Sequence, residues 1–325
     1  MLTFEKMLRQ FDAFCAANPI GIEPSGLYEP TGYIMSLGGK RLRPLILLAG
    51  YSLFRDDYES AMFAALGVEV FHNFTLLHDD ILDSATLRRG KSTAHIVYGV
   101  NAAILSGDVM LIRSFDFVMR ASPAESLGDI MQLMITTARE ICEGQQMDME
   151  FEKIAEVSVE QYLQMNELKT AILLGASLKI GALIAGAQSE QANLLYDAGV
   201  SFGKAFQVQD DLLDAFGDSG MTGKKRGGDI VNSKKTFLYT TALSQLSELR
   251  KRTFIDLYHE DAANPEVKIQ HVLRVFHDQK VKDHAVRFID KKYAEGVKSL
   301  ESLDVPEQKK IVLFDFIKSL AKREL

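Results

Sequence analysis

Residues 76–83 read LLHDDILD and close an apolar segment that begins near Ala61; residues 206–214 read FQVQDDLLD and close a second, from Gln191. At about 100° per residue, Asp79 and Asp83 leave one face of a helix one turn apart, and Asp210 and Asp214 do the same. Like charges so spaced cost a helix about 0.2–0.5 kcal/mol. One such cluster reads equally well as a solvated polar face. Two clusters, each inside a mainly apolar helix, point to carboxylates placed to hold cations. Asp80 and Asp211 complete the two sets.

Outward from these motifs, apolar residues recur at helical spacing over 45–53, 61–77, 102–119, 127–149, 159–184, 191–213 and 237–249. Strand alternation with Asn-Gly or Asp-Gly hairpin signals is absent. The pattern predicts an all-α protein. The stretches 102–111 and 170–187 are apolar on more than one face, which predicts helices in the middle of a bundle. Pro19, Pro24 and Pro30 predict an irregular N-terminal stretch. Five glycines in 217–228 predict a flexible loop, and the chain after Ser247 predicts peripheral amphipathic helices. No low-complexity linker divides the sequence, so residues 1–325 are expected to form a single domain.

Composition narrows the class. Of 325 residues, 47% are apolar and 25% charged, with 44 Asp and Glu against 37 Lys and Arg, a net charge of -7. That balance argues against a nucleic-acid partner, which needs a basic footprint. Two cysteines, Cys15 and Cys142, make no disulfide framework and point to a reducing compartment. The first residues do not read as a signal peptide, and no apolar run approaches the roughly 20 residues of a transmembrane helix. A cytoplasmic protein is expected.

Carboxylate faces opposed across a cavity suit hard divalent cations; Mg²⁺ shares carboxylates with substrate phosphates and keeps several waters. Zinc spacing of His and Cys is absent, and the pair of Glu-x-x-His motifs that carboxylate-bridged di-iron bundles need is not present, Glu69 to His72 being a single instance. Basic runs accompany the acidic ones: GGKRLRP at 38–44, LRRGKSTAH at 87–95, and Lys224, Lys225, Arg226, Lys234 and Lys235 after the second cluster. Any one run could simply meet a helix dipole. Three runs beside glycines, two of them just downstream of acidic clusters, argue for anion capture. The Walker pattern is missing, which argues against an NTPase of that type; the acidic and basic sets together read as a site for diphosphate in a helical bundle.

GGKRLRP, LLHDDILD with its RRG, and FQVQDDLLD with its GK resemble the trans-isoprenyl diphosphate synthases, the polyprenyl synthetase family, over about residues 35–240. The resemblance implies long helices around a deep central cavity (the isoprenoid synthase fold), usually as a homodimer. It implies condensation of isopentenyl diphosphate with an allylic diphosphate (dimethylallyl, geranyl or farnesyl), with three Mg²⁺ ions per site. By it, Asp79, Asp80, Asp83, Asp210, Asp211 and Asp214 are metal-site residues. Lys40, Arg43, His72 and Arg89 match the isopentenyl diphosphate site. Arg88, Lys169 and Lys224 match the allylic diphosphate site, and Lys234 matches a further basic residue there. Thr170 and Gln207 match polar groups near the developing carbocation. His72, seven residues before Asp79, falls about 20° from it, and Gln207 falls about 60° from Asp210.

A glycine often precedes the last lysine in the family; here Ser233 does, leaving open whether Lys234 or Lys235 makes the contact. Phe74 and Thr75 match the chain-length positions. One bulky and one small residue there point to geranylgeranyl diphosphate first and farnesyl diphosphate second. A longer-chain synthase, or a terpene cyclase of the same fold, is the alternative. Closure of 217–228 is expected to keep water from the cation.

Overall fold

The computed structural model describes residues 3–217, 226–260 and 264–321. Most of the glycine loop, including Lys224, lies outside the described residues, so its expected closure does too. The described chain is helical throughout except for one hairpin of two-residue strands. It gathers into two compact units, Met1–Ile135 with Ala176–Leu195 and Asp304–Phe314, and Thr136–Gly175 with Tyr196–Leu303 and Asp315–Leu325.

The first unit is built on α4 (Met62–Leu82), which packs along α6 (Val100–Ala121) and against α3 (Leu42–Ser52). The 25-residue stretch Tyr58–Leu82 is, among the described residues, the one long and apolar enough to cross a membrane, and 72% of its apolar window is buried in the protein. α1 (Phe4–Ala17) lies on α3 and α4, and α2 (Ser25–Ser36) lies on α6. The expected irregular stretch is irregular up to Pro24 and helical from Ser25, with Pro30 inside α2. α5 (Ala94–Tyr98) precedes α6.

α9 (Ile172–Ile184) is buried almost all round, as its sequence predicts; Lys179 escapes by donating to Asn193 Oδ1 at 2.7 Å. The prediction for 102–111 needs correction. α6 leaves Leu105, Ile112 and Met119 exposed, at 58%, 67% and 49%. They recur every seven residues, about 20° apart, as one apolar stripe that the chain itself does not cover.

In the second unit, α12 (Phe237–Gln245) packs against α8 (Val159–Asn166), α14 (Pro265–Asp278) and α15 (Val281–Glu301). α13 (Glu248–His259) and the one-turn α11 (Gly228–Val231) also rest on α14. The predicted helix over 237–249 breaks at Leu246 and Ser247, whose ψ angles of 146° and 156° are extended. The helices after Ser247 are more than peripheral: Phe254, Tyr258, Val272 and Phe276 enter the buried core with Tyr239. α7 (Leu127–Phe151), α10 (Ser189–Phe216) and α16 (Glu307–Ala321) complete the chain.

Close helix contact in the first unit depends on Gly181, where an added Cβ would strike the Leu47 carbonyl. Backbone cannot retreat as a flexible side-chain tip can, so overpacking there is costly. Gly181→Val is expected to destabilise the protein by about 2–3 kcal/mol in urea unfolding; an unchanged midpoint would contradict this packing.

Candidate active site

α4 ends at Leu82, and the Asp83 N–H donates to the Asp79 carbonyl at 2.9 Å. Asp79 is part-exposed and Asp83 exposed, one turn apart, as the spacing predicts. Asp80 points elsewhere and is 3% exposed. Arg88 reaches it from β1 (Leu87–Arg88), with Nε and Nη2 donating to its two carboxylate oxygens at 2.7 Å each. The same Nη2 lies 3.8 Å from Asp79 Oδ2. β1 pairs with β2 (Lys91–Ser92) through a two-residue turn, Arg89–Gly90, with φ 53° and 76°. Positive φ at both positions matches the twist of a tight hairpin. This hairpin is missing from the sequence reading, because its signal is Arg-Gly and its strands are two residues long.

The second glycine of GGKRLRP has a steric reason. A Cβ on Gly39, at φ 142°, would come within 2.8 Å of the Arg89 guanidinium. Three residues on from Lys40, which is exposed, Arg43 Nη1 donates to His72 Nε2 at 3.0 Å. Burial, then the guanidiniums of Arg43, Arg89, Arg88 and Arg41, holds His72 well below its usual 6.5. Four of the sequence-predicted residues (Arg43, His72, Arg88 and Arg89) therefore share one cationic neighbourhood beside the first carboxylates.

Arg41 does other work: it takes the left-handed position before α3 and pairs with buried Glu69 at 2.6 Å, and Asn73 donates to Glu69 as well. The Phe74 ring is buried and packs edge-on to Phe71 and His78, 5.6 and 4.9 Å between centroids. Thr75 donates to the His72 carbonyl at 2.8 Å.

The second unit repeats the division of carboxylates. Asp210 and Asp214 are part-exposed, whereas Asp211 is 4% exposed. Asp211 accepts from Tyr162 OH at 2.6 Å, from the Phe237 N–H at 3.0 Å and from Gln207 Nε2 at 3.1 Å. Burial and the nearby Asp229 push its pKa up to about 7 against those three donors. Asp80 and Asp211 thus differ from the other four aspartates in being buried among protein donors. Asp214 Oδ2 accepts from the Asp229 N–H at 3.0 Å, which ties α11 to the cluster.

Lys169 and Thr170 lie in a π-helical turn, Glu167–Ala171, that interrupts the predicted continuous helix over 159–184. Such turns displace a side chain from the regular helical face. Lys169 Nζ meets Asp148 Oδ2 at 2.6 Å. Of the two lysines after Ser233, Lys234 is exposed, while Lys235 is 8% exposed, donating to the Ser233 carbonyl and to His259 Nε2. Tyr162, Asp148 and Asp229 carry no local sequence signal, because their partners lie 49, 21 and 15 residues away.

His72 gives the site a pH signature. Its folded form resists the proton that the unfolded chain accepts near 6.5, so the unfolded state binds more protons below that pH. Its contribution is complete above 6.5 and is lost as pH falls. Between about pH 7 and 5, the melting temperature of His72→Gln is expected to fall less steeply than that of the wild type; parallel curves would contradict a neutral His72.

Residues 24–275 match the polyprenyl synthetase family model. The short chain isoprenyl diphosphate synthase of Methanocaldococcus jannaschii is 39% identical over 243 residues, 74% of each chain. The geranylgeranyl diphosphate synthase of Sulfolobus acidocaldarius is 36% identical over 287 residues, 86% of each. A crystal structure of a geranylgeranyl pyrophosphate synthase superposes with a TM-score of 0.93 at 38% identity, covering all of both chains. With the two aspartate sets and their basic partners in family order, the chain belongs to the polyprenyl synthetase family, the trans-isoprenyl diphosphate synthases.

Proposed function

We propose that this trans-prenyltransferase condenses isopentenyl diphosphate with a dimethylallyl, geranyl or farnesyl diphosphate and stops chiefly at geranylgeranyl diphosphate, residues 1–325 acting as one domain. The observation that carries this reading is the recurring arrangement of acid and base. Each unit holds one buried, committed aspartate, two accessible ones and a set of cations.

Asp79, Asp83, Asp210 and Asp214 offer the hard oxygens that Mg²⁺ takes. Among the described residues no three His, Cys, Asp or Glu side chains form a metal cage, which suits an ion that completes its shell with diphosphate oxygens and water. These four aspartates are our assignment for the Mg²⁺ ligands, with three ions per site. Bound there, Mg²⁺ neutralises charge on the leaving diphosphate.

The residues divide the reaction. Lys40, Arg43, His72 and Arg89 hold the isopentenyl diphosphate, the neutral imidazole accepting from Arg43 and keeping that guanidinium oriented. Arg88, Lys169, Lys224 and Lys234 hold the allylic diphosphate. Arg88 is fixed by Asp80 and Lys169 by Asp148, so both charges are in place before substrate arrives. The allylic C–O bond breaks with its electron pair leaving on the diphosphate. The isopentenyl double bond attacks the allylic carbon, and the departing diphosphate takes the proton whose loss restores a double bond. Gln207 uses its N–H on Asp211, which leaves its carbonyl oxygen, with the Thr170 hydroxyl, to face the cation.

Relatives named for geranylgeranyl products and the bulky Phe74 beside small Thr75 support the product length. The α6 stripe of Leu105, Ile112 and Met119 supports a homodimer, since a second copy would cover it.

Incubation with Mg²⁺, labelled isopentenyl diphosphate and each allylic primer tests this reading. Asp79→Ala and Asp210→Ala are expected to lower turnover by about 10³-fold; turnover within a few-fold of wild type would sink the scheme. Phe74→Ala is expected to shift the product to a longer chain on chromatography, and an unchanged product spectrum would remove Phe74 from that role.

A further inference from the structure

The turn that carries Lys234 is fastened from beneath by residues that the mechanism does not use. Ser233 stands at φ 53°, the left-handed region where a glycine is at ease and a serine is strained. Its hydroxyl is engaged on both sides: Oγ donates to the Tyr258 carbonyl at 2.7 Å and accepts from Lys268 Nζ at 3.0 Å. Lys268 also reaches the Val231 carbonyl at 3.5 Å, the last residue of α11, where a cation meets unpaired helix carbonyls. Tyr258 returns the contact, its hydroxyl donating to the Lys234 carbonyl at 2.7 Å.

From the other side, Lys235 Nζ donates to the Ser233 carbonyl at 3.2 Å and to His259 Nε2 at 2.7 Å. His259 Nδ1 lies 2.8 Å from the Ile255 carbonyl, so Nδ1 carries the ring proton and Nε2 is the acceptor. The far end of the turn is tied to the second aspartate cluster. The Lys234 N–H donates to the Asp229 carbonyl at 2.9 Å, and the Asp229 N–H donates to Asp214 at 3.0 Å.

Lys268 and Lys235 are only 4% and 8% exposed. Burying two ammoniums under one turn is a poor way to gain stability, since apolar residues of similar size do that at lower cost. Polar bonds of fixed direction instead specify one backbone path. We propose that Ser233, Lys268 and Lys235 are positioning residues that fix the main chain at Lys234, so that its ammonium meets the allylic diphosphate. This rests on the reading of Lys234 given above. It also gives the serine at the family's glycine position a purpose: the left-handed backbone is kept and a hydroxyl is added to hold it.

Steady-state kinetics of the full chain with Mg²⁺, varying each diphosphate in turn, test the proposal, with melting temperatures measured alongside. Lys234→Ala is expected to raise the allylic KM by about tenfold or more. Ser233→Ala, Ser233→Gly and Lys268→Met are expected to raise the allylic KM by about three- to tenfold, with the isopentenyl KM within about twofold. A wild-type allylic KM in Ser233→Gly would overturn the role of the hydroxyl, since backbone conformation alone would then suffice. A lower melting temperature with both KM values unchanged, or shifted equally, would reduce the cluster to structural support. An unchanged allylic KM in Lys234→Ala would instead overturn the reading of Lys234 itself, a result distinct from either of the others.

Discussion

Asp80 and Asp211 are carboxylates held out of water, and a buried carboxylate persists only where donors replace its solvent. Asp80 has the two-pronged grip of Arg88. Asp211 has a tyrosine hydroxyl, a backbone N–H and an amide. Those bonds do more than satisfy the buried charge. Through Asp80 the first cluster fixes a hairpin and its arginines; through Asp211 the second fixes the start of α12, the Tyr162 ring and the Gln207 amide. Arg88, which also lies near Asp79, takes its position from Asp80, and Gln207 takes its position from Asp211.

This arrangement explains why each cluster carries three aspartates. A helix can display two carboxylates to a cation with Asp at i and i+4. The inserted aspartate at i+1 points about 100° away, toward the protein, and serves as the anchor. The repulsion among three acidic residues in five positions is offset inside by buried donors, and outside by contacts such as the Asp229 N–H on Asp214 together with the cations the site is proposed to bind. Lys169 and Asp148 follow a related logic, a part-buried charge kept in line by a partner.

Much of this was legible in the sequence. Helical periodicity located α4, α6, α7 and α10 closely, and the i, i+4 spacing put Asp79 and Asp83, like Asp210 and Asp214, one turn apart, with His72 near the Asp79 face. What periodicity cannot report is a partner distant in sequence. The anchoring of Asp211 by Tyr162 spans 49 residues, and nothing near either residue announces it. Nor could it foresee local departures from regular backbone: the Arg89–Gly90 turn, the π-helical turn at Lys169, and the left-handed Ser233. Each of these lies at or beside a residue proposed to touch diphosphate. The exposed stripe on α6 escaped for a different reason, because an apolar face reads the same whether its cover is the chain itself or a second copy.

The claim on which the account turns is that the aspartates of one cluster have different jobs. Calorimetry of Mg²⁺-dependent binding of an unreactive allylic diphosphate analogue, run on Asp210→Asn and Asp211→Asn with their melting temperatures, tests it most directly. The account predicts that Asp210→Asn keeps the wild-type melting temperature and loses the Mg²⁺-dependent binding, while Asp211→Asn melts lower yet retains much of that binding below its transition. Wild-type Mg²⁺-dependent binding in Asp210→Asn, or equal loss in both variants with equal stability, would contradict it.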